Sequence, residues 1–463
     1  MSLQAPLDRA LRALLGPRFS GSVSDRETHR TGPIAFEVPL PEAVAYPLDT
    51  SEVAQIAALC SRHGCPLTAW GAGTSLEGHA LPRFGGICVD FSRMDRVIDI
   101  HEQDMMAVVQ PGVTREALGT ELRATGLFFT VDPGANATLG GMAATRASGT
   151  TAVRYGTMRD NVLALEVVLA GGRVIRTGSA TPKTASGYDL TALFVGSEGT
   201  LGLITELTLR LNGRPEAVAA AACAFPTMSD AVAAVMQTIQ AGIPMARIEF
   251  VDDLTAAAFN AYADTSFAAL PHLLLEFHGS PSEVAEQSRA FVEIAHSHGG
   301  SQAKWALGEE DRKALWQMRH NGYFAFLRQY PNRTMITTDT CVPISRLAQA
   351  VEETAADIRA SGIPGPILGH VGDGNFHALL FPRNDNAADA AIARDLTTRM
   401  AERALRLGGT VSGEHGVGMG KLRFMCKEHG PGWAVMQDLK HALDPSGILN
   451  PGKLLPDSKP PEG

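Results

Sequence analysis

The chain has 463 residues, 45% of them hydrophobic and 19% charged, and a formal net charge of −9. That length exceeds what one hydrophobic core usually supports, so two or three domains are expected. A net-negative surface argues against nucleic acid or an anionic membrane as the main partner.

Six cysteines (Cys60, Cys65, Cys88, Cys223, Cys341, Cys426) are scattered without a C-x-x-C pair or metal spacing. They read as free thiols in a reducing compartment. No window approaches the roughly 20 apolar residues of a membrane span, and the N-terminus lacks a stretch of signal-peptide length. A cytoplasmic protein, at most peripheral at the inner membrane, is expected.

Residues 1–35 combine a short amphipathic helix, with Leu7, Leu11 and Leu14 at helical spacing, and a polar connector. From Ala43 the pattern is strand, helix, strand, the helix from Ser51 burying Val53, Ile56, Ala57 and Cys60. Residues 66–70 form the next strand and run into Gly71-Ala72-Gly73-Thr74-Ser75-Leu76-Glu77-Gly78-His79. Successive exposed N–H groups there suit a pyrophosphate. The spacing matches neither Walker A nor G-x-G-x-x-G, because Leu76 stands where the third glycine would be.

Short β-rich runs follow at 87–91, 97–100 and 106–110, then a helix over 114–125. Residues 131–144, followed by Ser148-Gly149, are rich in glycine and alanine. Such a segment is poor as a regular strand or helix interior and is expected to wrap something flat and extended. A third small-residue segment, 196–204, leads into a strand at 206–211.

From about Arg214 the composition becomes Ala-rich. Two units read as βαββαβ. The first has strands near Val218, Ile248, Leu274 and Ala303 with helices at 229–241 and 283–298. The second has strands near Ile336, Ile367, Leu379 and Val411 with helices at 345–361 and 387–407. They predict an antiparallel sheet covered by helices on one face. Between them a helix beginning near Glu309 carries Arg319, which by itself reads as a solvated charge. The segment from Thr338 to Pro343 adds no Lys or Arg, a hint against a second carboxylate on any ligand.

Two stretches concentrate chemistry: Gly369-His370-Val371-Gly372-Asp373-Gly374-Asn375-Phe376-His377 and Ser412-Gly413-Glu414-His415-Gly416-Val417-Gly418. His370 and His377 bracket a turn, so neighbouring strands can direct both imidazoles to one point, with Glu414 as a third ligand. Zn²⁺ or Mn²⁺ suits that set. Singly, each histidine also fits a hydrogen-bonded structural role. His415 follows Glu414 directly, and in a regular strand the two would point to opposite faces.

The segments 71–79, 132–141 and 196–204 resemble, in order and spacing, the flavin-binding domain of the vanillyl-alcohol oxidase/p-cresol methylhydroxylase (PCMH) family. The two histidine-bearing stretches are similar to the C-terminal domain of its D-2-hydroxy-acid dehydrogenase branch, nearest to the cytochrome-type, NAD-independent D-lactate dehydrogenases and the FAD subunit of glycolate oxidase. The resemblance implies an α+β fold: a two-subdomain PCMH-type FAD-binding domain and a cap with a large antiparallel sheet covered by helices. The expected divisions are 1–35, a helical segment; 36–214, the FAD-binding domain; 215–410, the substrate-binding cap; and 411–463, a segment returning to the flavin.

The resemblance further implies FAD with its pyrophosphate on Ala72, Gly73, Thr74, Ser75 and Leu76. Other contacts come from Pro133, Gly134, Thr138, Gly140, Gly141, Ser148, Gly149, Glu198, Gly199, Gly202, Ile204 and Asn450. Thr74 occupies a position that is often His in relatives with covalent flavin, so non-covalent FAD is expected. Arg319 would clamp a substrate carboxylate and Asn375 would orient the substrate. His370, His377 and Glu414 would hold Zn or Mn, and His415 would act as base.

The implied reaction oxidises a small D-2-hydroxy acid, D-lactate first, to the 2-oxo acid, with glycolate and D-2-hydroxyglutarate as alternatives. Readings of other classes are a metal-dependent hydrolase and a non-catalytic FAD-binding subunit. No NAD fingerprint, haem-attachment motif or Fe–S cysteine cluster is present, so an external cytochrome, quinone or electron-transfer flavoprotein must accept the electrons. A homodimer is compatible with this reading.

Overall fold

Asp49 begins the first long helix, Thr50–Arg62, by accepting from the Glu52 amide at 2.9 Å. Val53, Ile56, Ala57 and Cys60 form its buried stripe. The stripe shares a core with Leu7, Leu11 and Leu15 of helix Ala5–Leu15. Leu15, one residue beyond the expected Leu14, completes that inner face. The computed structural model describes residues 3–34, 36–263, 265–320 and 322–456. The chain divides into two units.

The first unit comprises Met1–Ser148, Gly156–Arg214 and Glu414–Gly463. One sheet runs in the order Phe19–Ser20, Ala43–Ala45, Ile87–Asp90, Leu67–Trp70, the last three parallel. A second, antiparallel sheet has the order Val97–His101, Met106–Val109, Leu203–Arg210, Val162–Val168, Val174–Gly178. The C-terminal segment closes on the first sheet: Leu449 bridges Leu67, and the Asn450 amide donates to the Leu67 carbonyl at 2.7 Å.

The segment expected to avoid regular structure contains a helix, Leu139–Thr145. Its Leu139, Met142 and Ala143 are buried in the core of this unit, and that burial outweighs the cost of two helical glycines. Gly140 serves close packing, since a Cβ there would fall 2.4 Å from the Pro111 Cβ.

The second unit comprises Gly149–Tyr155 and Pro215–Gly413. Its antiparallel sheet has the order Lys304–Ala306, Ala217–Ala224, His272–Gly279, Met245–Val251, Ile367–Gly369, Asn375–Leu380, Ile336–Thr337, with Thr340–Cys341 also paired to Asn375–Leu380. The two repeats join where Phe250 opposes Gly369 and Val251 opposes Leu368. Helices Met228–Gln240, Pro281–Ser297, Leu347–Ser361 and Ala387–Arg406 pack on one face over Ile248, Phe250, Leu275, Phe277 and Leu380.

Two expectations are corrected. The other sheet face is partly covered, because Val251, Leu274, Leu368 and Leu379 are apolar there and bury Phe259, Trp316 and Phe326 of helices Asp253–Ala263, Glu309–His320 and Gly322–Gln329. Near Val411 no strand forms among the described residues; Thr410 makes only an isolated bridge to Cys341. Gly408, Gly409 and Gly413 flank this stretch and favour bends over extended pairing. Among the described residues, no helix is long and apolar enough to cross a membrane.

Candidate active site

In the second unit, strands Ile367–Gly369 and Asn375–Leu380 pair with Leu368 opposite His377. The turn between them is a single 3-10 turn, Val371–Asp373, closed by Gly374 at φ 78°. A Cβ at Gly374 would lie 2.0 Å from the Val342 carbonyl oxygen, so only glycine fits. This hairpin brings His370 and His377 together, with ring centroids 5.6 Å apart and planes at 84°.

The hydrogen bonds of the two rings define their chemistry. His370 Nδ1 lies 2.6 Å from Glu249 Oε1, and His377 Nδ1 lies 3.0 Å from the Thr338 carbonyl oxygen. A carboxylate and a carbonyl only accept, so each ring carries a proton on Nδ1, and in the neutral ring the lone pair that a metal would take is on Nε2. Buried imidazoles held in this way by an outer carboxylate and a carbonyl are the usual support of metal ligands. The donor set therefore fits a divalent ion.

Asn375, buried beside them, donates from Nδ2 to Asp339 Oδ1 at 2.7 Å and to the Thr340 carbonyl at 2.8 Å. Its Oδ1 has no hydrogen-bond partner among the described residues, which leaves an acceptor for a ligand hydroxyl. Asp339 also accepts from Ser412 Oγ at 2.9 Å. A Cβ at Gly413 would fall 2.0 Å from Asn375 Nδ2, so the glycine makes room for that amide.

Arg319 is not a solvated helix charge. Its Nε and Nη2 donate to Glu249 Oε2 at 3.0 and 2.8 Å, with the guanidinium side chain only 13% exposed. Glu249 is fully buried on Met245–Val251 and faces the same side of the sheet as Arg247. Further along that face, Arg247 pairs with Glu276 at 3.3 Å and stacks 4.7 Å over Trp316. Glu276 also meets His278 Nε2 at 2.8 Å, and Tyr155 donates to His278 Nδ1 at 2.8 Å. Burial raises the Tyr155 pKa and keeps the phenol protonated.

Glu414 and His415 follow Gly413 where the chain passes into the first unit. The backbone bends at both residues and Gly416 adopts φ 78°. As a result Glu414 Oε1 and His415 Nε2 lie 4.0 Å apart, on one side of the chain. The strand-like alternation that would separate them does not occur.

In the first unit the three glycine-rich segments are tied to one another and to the C-terminal return. Glu198, at φ 54°, accepts from the amides of Val417 at 2.7 Å and Gly418 at 2.9 Å, with His79 Nε2 3.1 Å away. Burial opposes its charge, but His79 and the two amides outweigh it and hold the carboxyl below its ordinary pKa. Asn450 Nδ2 donates to the carbonyls of Glu198 at 2.6 Å and His79 at 3.0 Å. Lys453 donates to Asn450 Oδ1 at 2.6 Å and to the Leu81 carbonyl. Burial pulls Lys453 down to about 7.

Thr138 is the observation that bears on a cofactor. It stands at the N-cap of Leu139–Thr145 yet makes no capping bond, and its buried Oγ1 has no partner among the described residues. A Cβ on Gly71 would lie 2.2 Å from that oxygen, so the hydroxyl abuts the first glycine-rich loop. A buried hydroxyl left over beside a glycine-rich loop fits a polar ligand such as a dinucleotide. The other expected contacts lie on the same three segments, except Ser148 and Asn450, which belong to the same unit, and Gly149, which begins the second unit.

Sequence reasoning missed Glu249, Asp339 and Lys453. A carboxylate two residues after Arg247 in the largely apolar, centrally placed strand Met245–Val251 is the signal that would have found Glu249. Asp339, between two threonines, offers no comparable signal.

Comparison with known proteins shows two family matches: an FAD binding domain over residues 41–178 and the C-terminal domain of FAD linked oxidases over residues 214–454. The probable D-lactate dehydrogenase, mitochondrial, of Danio rerio is 48% identical over 435 residues, covering 93% of this chain and 86% of its own length. The D-lactate dehydrogenase [cytochrome], mitochondrial, of Arabidopsis thaliana is 39% identical over 449 residues, covering 96% and 79%. Among solved structures, p-cresol methylhydroxylase with substrate bound matches at TM-score 0.82 over 98% of both chains; at 16% identity this likeness concerns the fold.

Proposed function

This chain belongs to the FAD-linked oxidases and is an FAD-linked oxidoreductase, and from that premise we propose that it oxidises D-lactate to the 2-oxo acid. The observation that carries the reading is the His370/His377 pair with both Nδ1 atoms committed to acceptors, in a chain whose relatives are named D-lactate dehydrogenases.

When bound, FAD supplies the two-electron acceptor, and Zn²⁺ or Mn²⁺ supplies the Lewis acid that lowers the pKa of a hydroxyl. His370 and His377 would hold that ion through Nε2, with Glu414 as the third ligand. Arg319, fixed by Glu249, pairs with the substrate carboxylate. Asn375 Oδ1 accepts from the substrate hydroxyl as it binds and so orients it, before that proton turns to His415. His415 Nε2 takes the hydroxyl proton as hydride leaves the α-carbon, which balances the step: two electrons and one proton leave the substrate with the hydride, the other proton stays on His415.

The flavin is held non-covalently, with Thr74 in the first glycine-rich loop. Acid precipitation then releases the yellow colour into the supernatant. Electrons pass to an external acceptor, a cytochrome in keeping with the name of the Arabidopsis relative. The decisive experiment is anaerobic mixing of the flavoprotein with D-lactate, L-lactate, glycolate and D-2-hydroxyglutarate. D-lactate is expected to bleach the flavin fastest and L-lactate to leave it oxidised. A flavin that no hydroxy acid reduces, or that both lactate enantiomers reduce equally, overturns the reading.

A further inference from the structure

Glu249 is the one described carboxylate that touches both a histidine of the 370–377 hairpin and Arg319. It is fully buried, and its two oxygens are divided: Oε1 takes His370 Nδ1 at 2.6 Å, while Oε2 takes Arg319 Nε at 3.0 Å and Nη2 at 2.8 Å. Its backbone is anchored in the middle of the sheet, in Met245–Val251, with Leu274 opposite it on the next strand. A carboxylate so placed cannot follow either partner by moving; each partner must come to it.

We propose that Glu249 is a positioning residue that ties the metal-binding and carboxylate-binding halves of the site together. This rests on the function proposed above. Through Oε1 it sets the His370 tautomer and ring direction, and raises the basicity of Nε2. Through Oε2 it engages one edge of the Arg319 guanidinium, Nε and Nη2, and directs the remaining donors toward an incoming carboxylate. One side chain thereby fixes the distance between the point where a 2-hydroxy acid's hydroxyl is polarised and the point where its carboxylate is paired. A substrate is selected for having those two groups on adjacent carbons.

The test uses the full-length flavoprotein and Glu249→Gln. Glutamine keeps the size, but its amide nitrogen faces a donor on one side whichever way it is turned. Metal affinity, measured by chelator competition with elemental analysis, is expected to weaken about 10–100-fold. At saturating metal, KM for D-lactate is expected to rise roughly tenfold with kcat much less affected, the cost of one weakened charge-assisted hydrogen bond. A variant with merely loosened packing would lose FAD and thermal stability together without that split.

Glu249→Asp provides the second variant should the first fail to fold. It keeps the charge but is one methylene too short to reach both partners, and is expected to impair metal affinity or KM. A wild-type chain that retains no divalent ion overturns both this inference and the metal part of the proposed function. A wild-type chain that retains one, with Glu249→Gln or Glu249→Asp equal to it in metal affinity and in KM, overturns the coupling alone.

Discussion

Asn450 donates from Nδ2 to the backbone carbonyl of Glu198 at 2.6 Å, across 252 residues of sequence. The same amide reaches the His79 carbonyl, so one side chain pins the first and third glycine-rich segments to the C-terminal return. Asn450→Ala leaves two buried carbonyls and the Lys453 amino group short of a partner. An unsatisfied buried group costs about 1–3 kcal/mol. Chemical denaturation should show a loss of at least that size, with weaker FAD retention. A variant within experimental error of wild type on both counts contradicts the pinning role.

Thr138 makes a prediction of opposite sign for the two states of the protein. Its hydroxyl is buried and caps nothing, so Thr138→Val removes an unmet polar group from the apoprotein. Apoprotein stability should hold steady or rise. FAD affinity should fall by about 0.5–1.5 kcal/mol, the net worth of one hydrogen bond. Flavin-fluorescence titration reads the second quantity, and unchanged affinity would remove Thr138 from the cofactor site.

Gly413 tests the space given to Asn375. Replacing it with alanine places a methyl 2.0 Å from Asn375 Nδ2, and the neighbouring Asp339 Oδ1 is only 3.1 Å from the same point. Overpacking of this kind costs about 1–3 kcal/mol. Gly413→Ala should lower the melting temperature and raise KM, because Asn375 must leave Asp339. Wild-type KM in a folded Gly413→Ala protein would show that the Asn375 position is unimportant for binding.

The parts of this fold that could be read from the sequence are those that local pattern dictates. The helix after Asp49, the first βαββαβ repeat and the second as far as its last helix follow from apolar periodicity, and the hairpin around Gly374 follows from glycines between histidines. The helix Leu139–Thr145 was not legible, because its glycines look like flexibility until Pro111 is seen packed against Gly140. Glu249 was hidden for a related reason. Its role depends on His370 and Arg319, 121 and 70 residues away, and no local pattern reports such a distant pairing.

His415 is proposed to take the substrate proton, and its neighbour Glu414 lies on the same side of the bent chain. His415→Ala should slow anaerobic flavin reduction by D-lactate by about 10²–10⁴, the range for loss of a general base. FAD content and metal content should remain those of wild type, which separates a lost base from a damaged site. Rapid reduction by the variant would move the proton transfer to another group.

Lys453 gives the stability curve a slope. Burial lowers its pKa from 10.5 to about 7, so between those values the unfolded chain binds the proton and the folded chain does not. With more protons bound in the unfolded state, stability from this group rises with pH across that window. Below pH 7 both states are protonated and the slope vanishes, leaving the cost of a buried ammonium whose described contacts are the Leu81 carbonyl and Asn450. Lys453→Met removes the titration. Subtracting its denaturation free energies from those of wild type, pH unit by pH unit, should therefore leave a difference that climbs from pH 7 toward 10.5. A flat difference would mean that Lys453 stays charged in the folded protein, with its partners offsetting the burial.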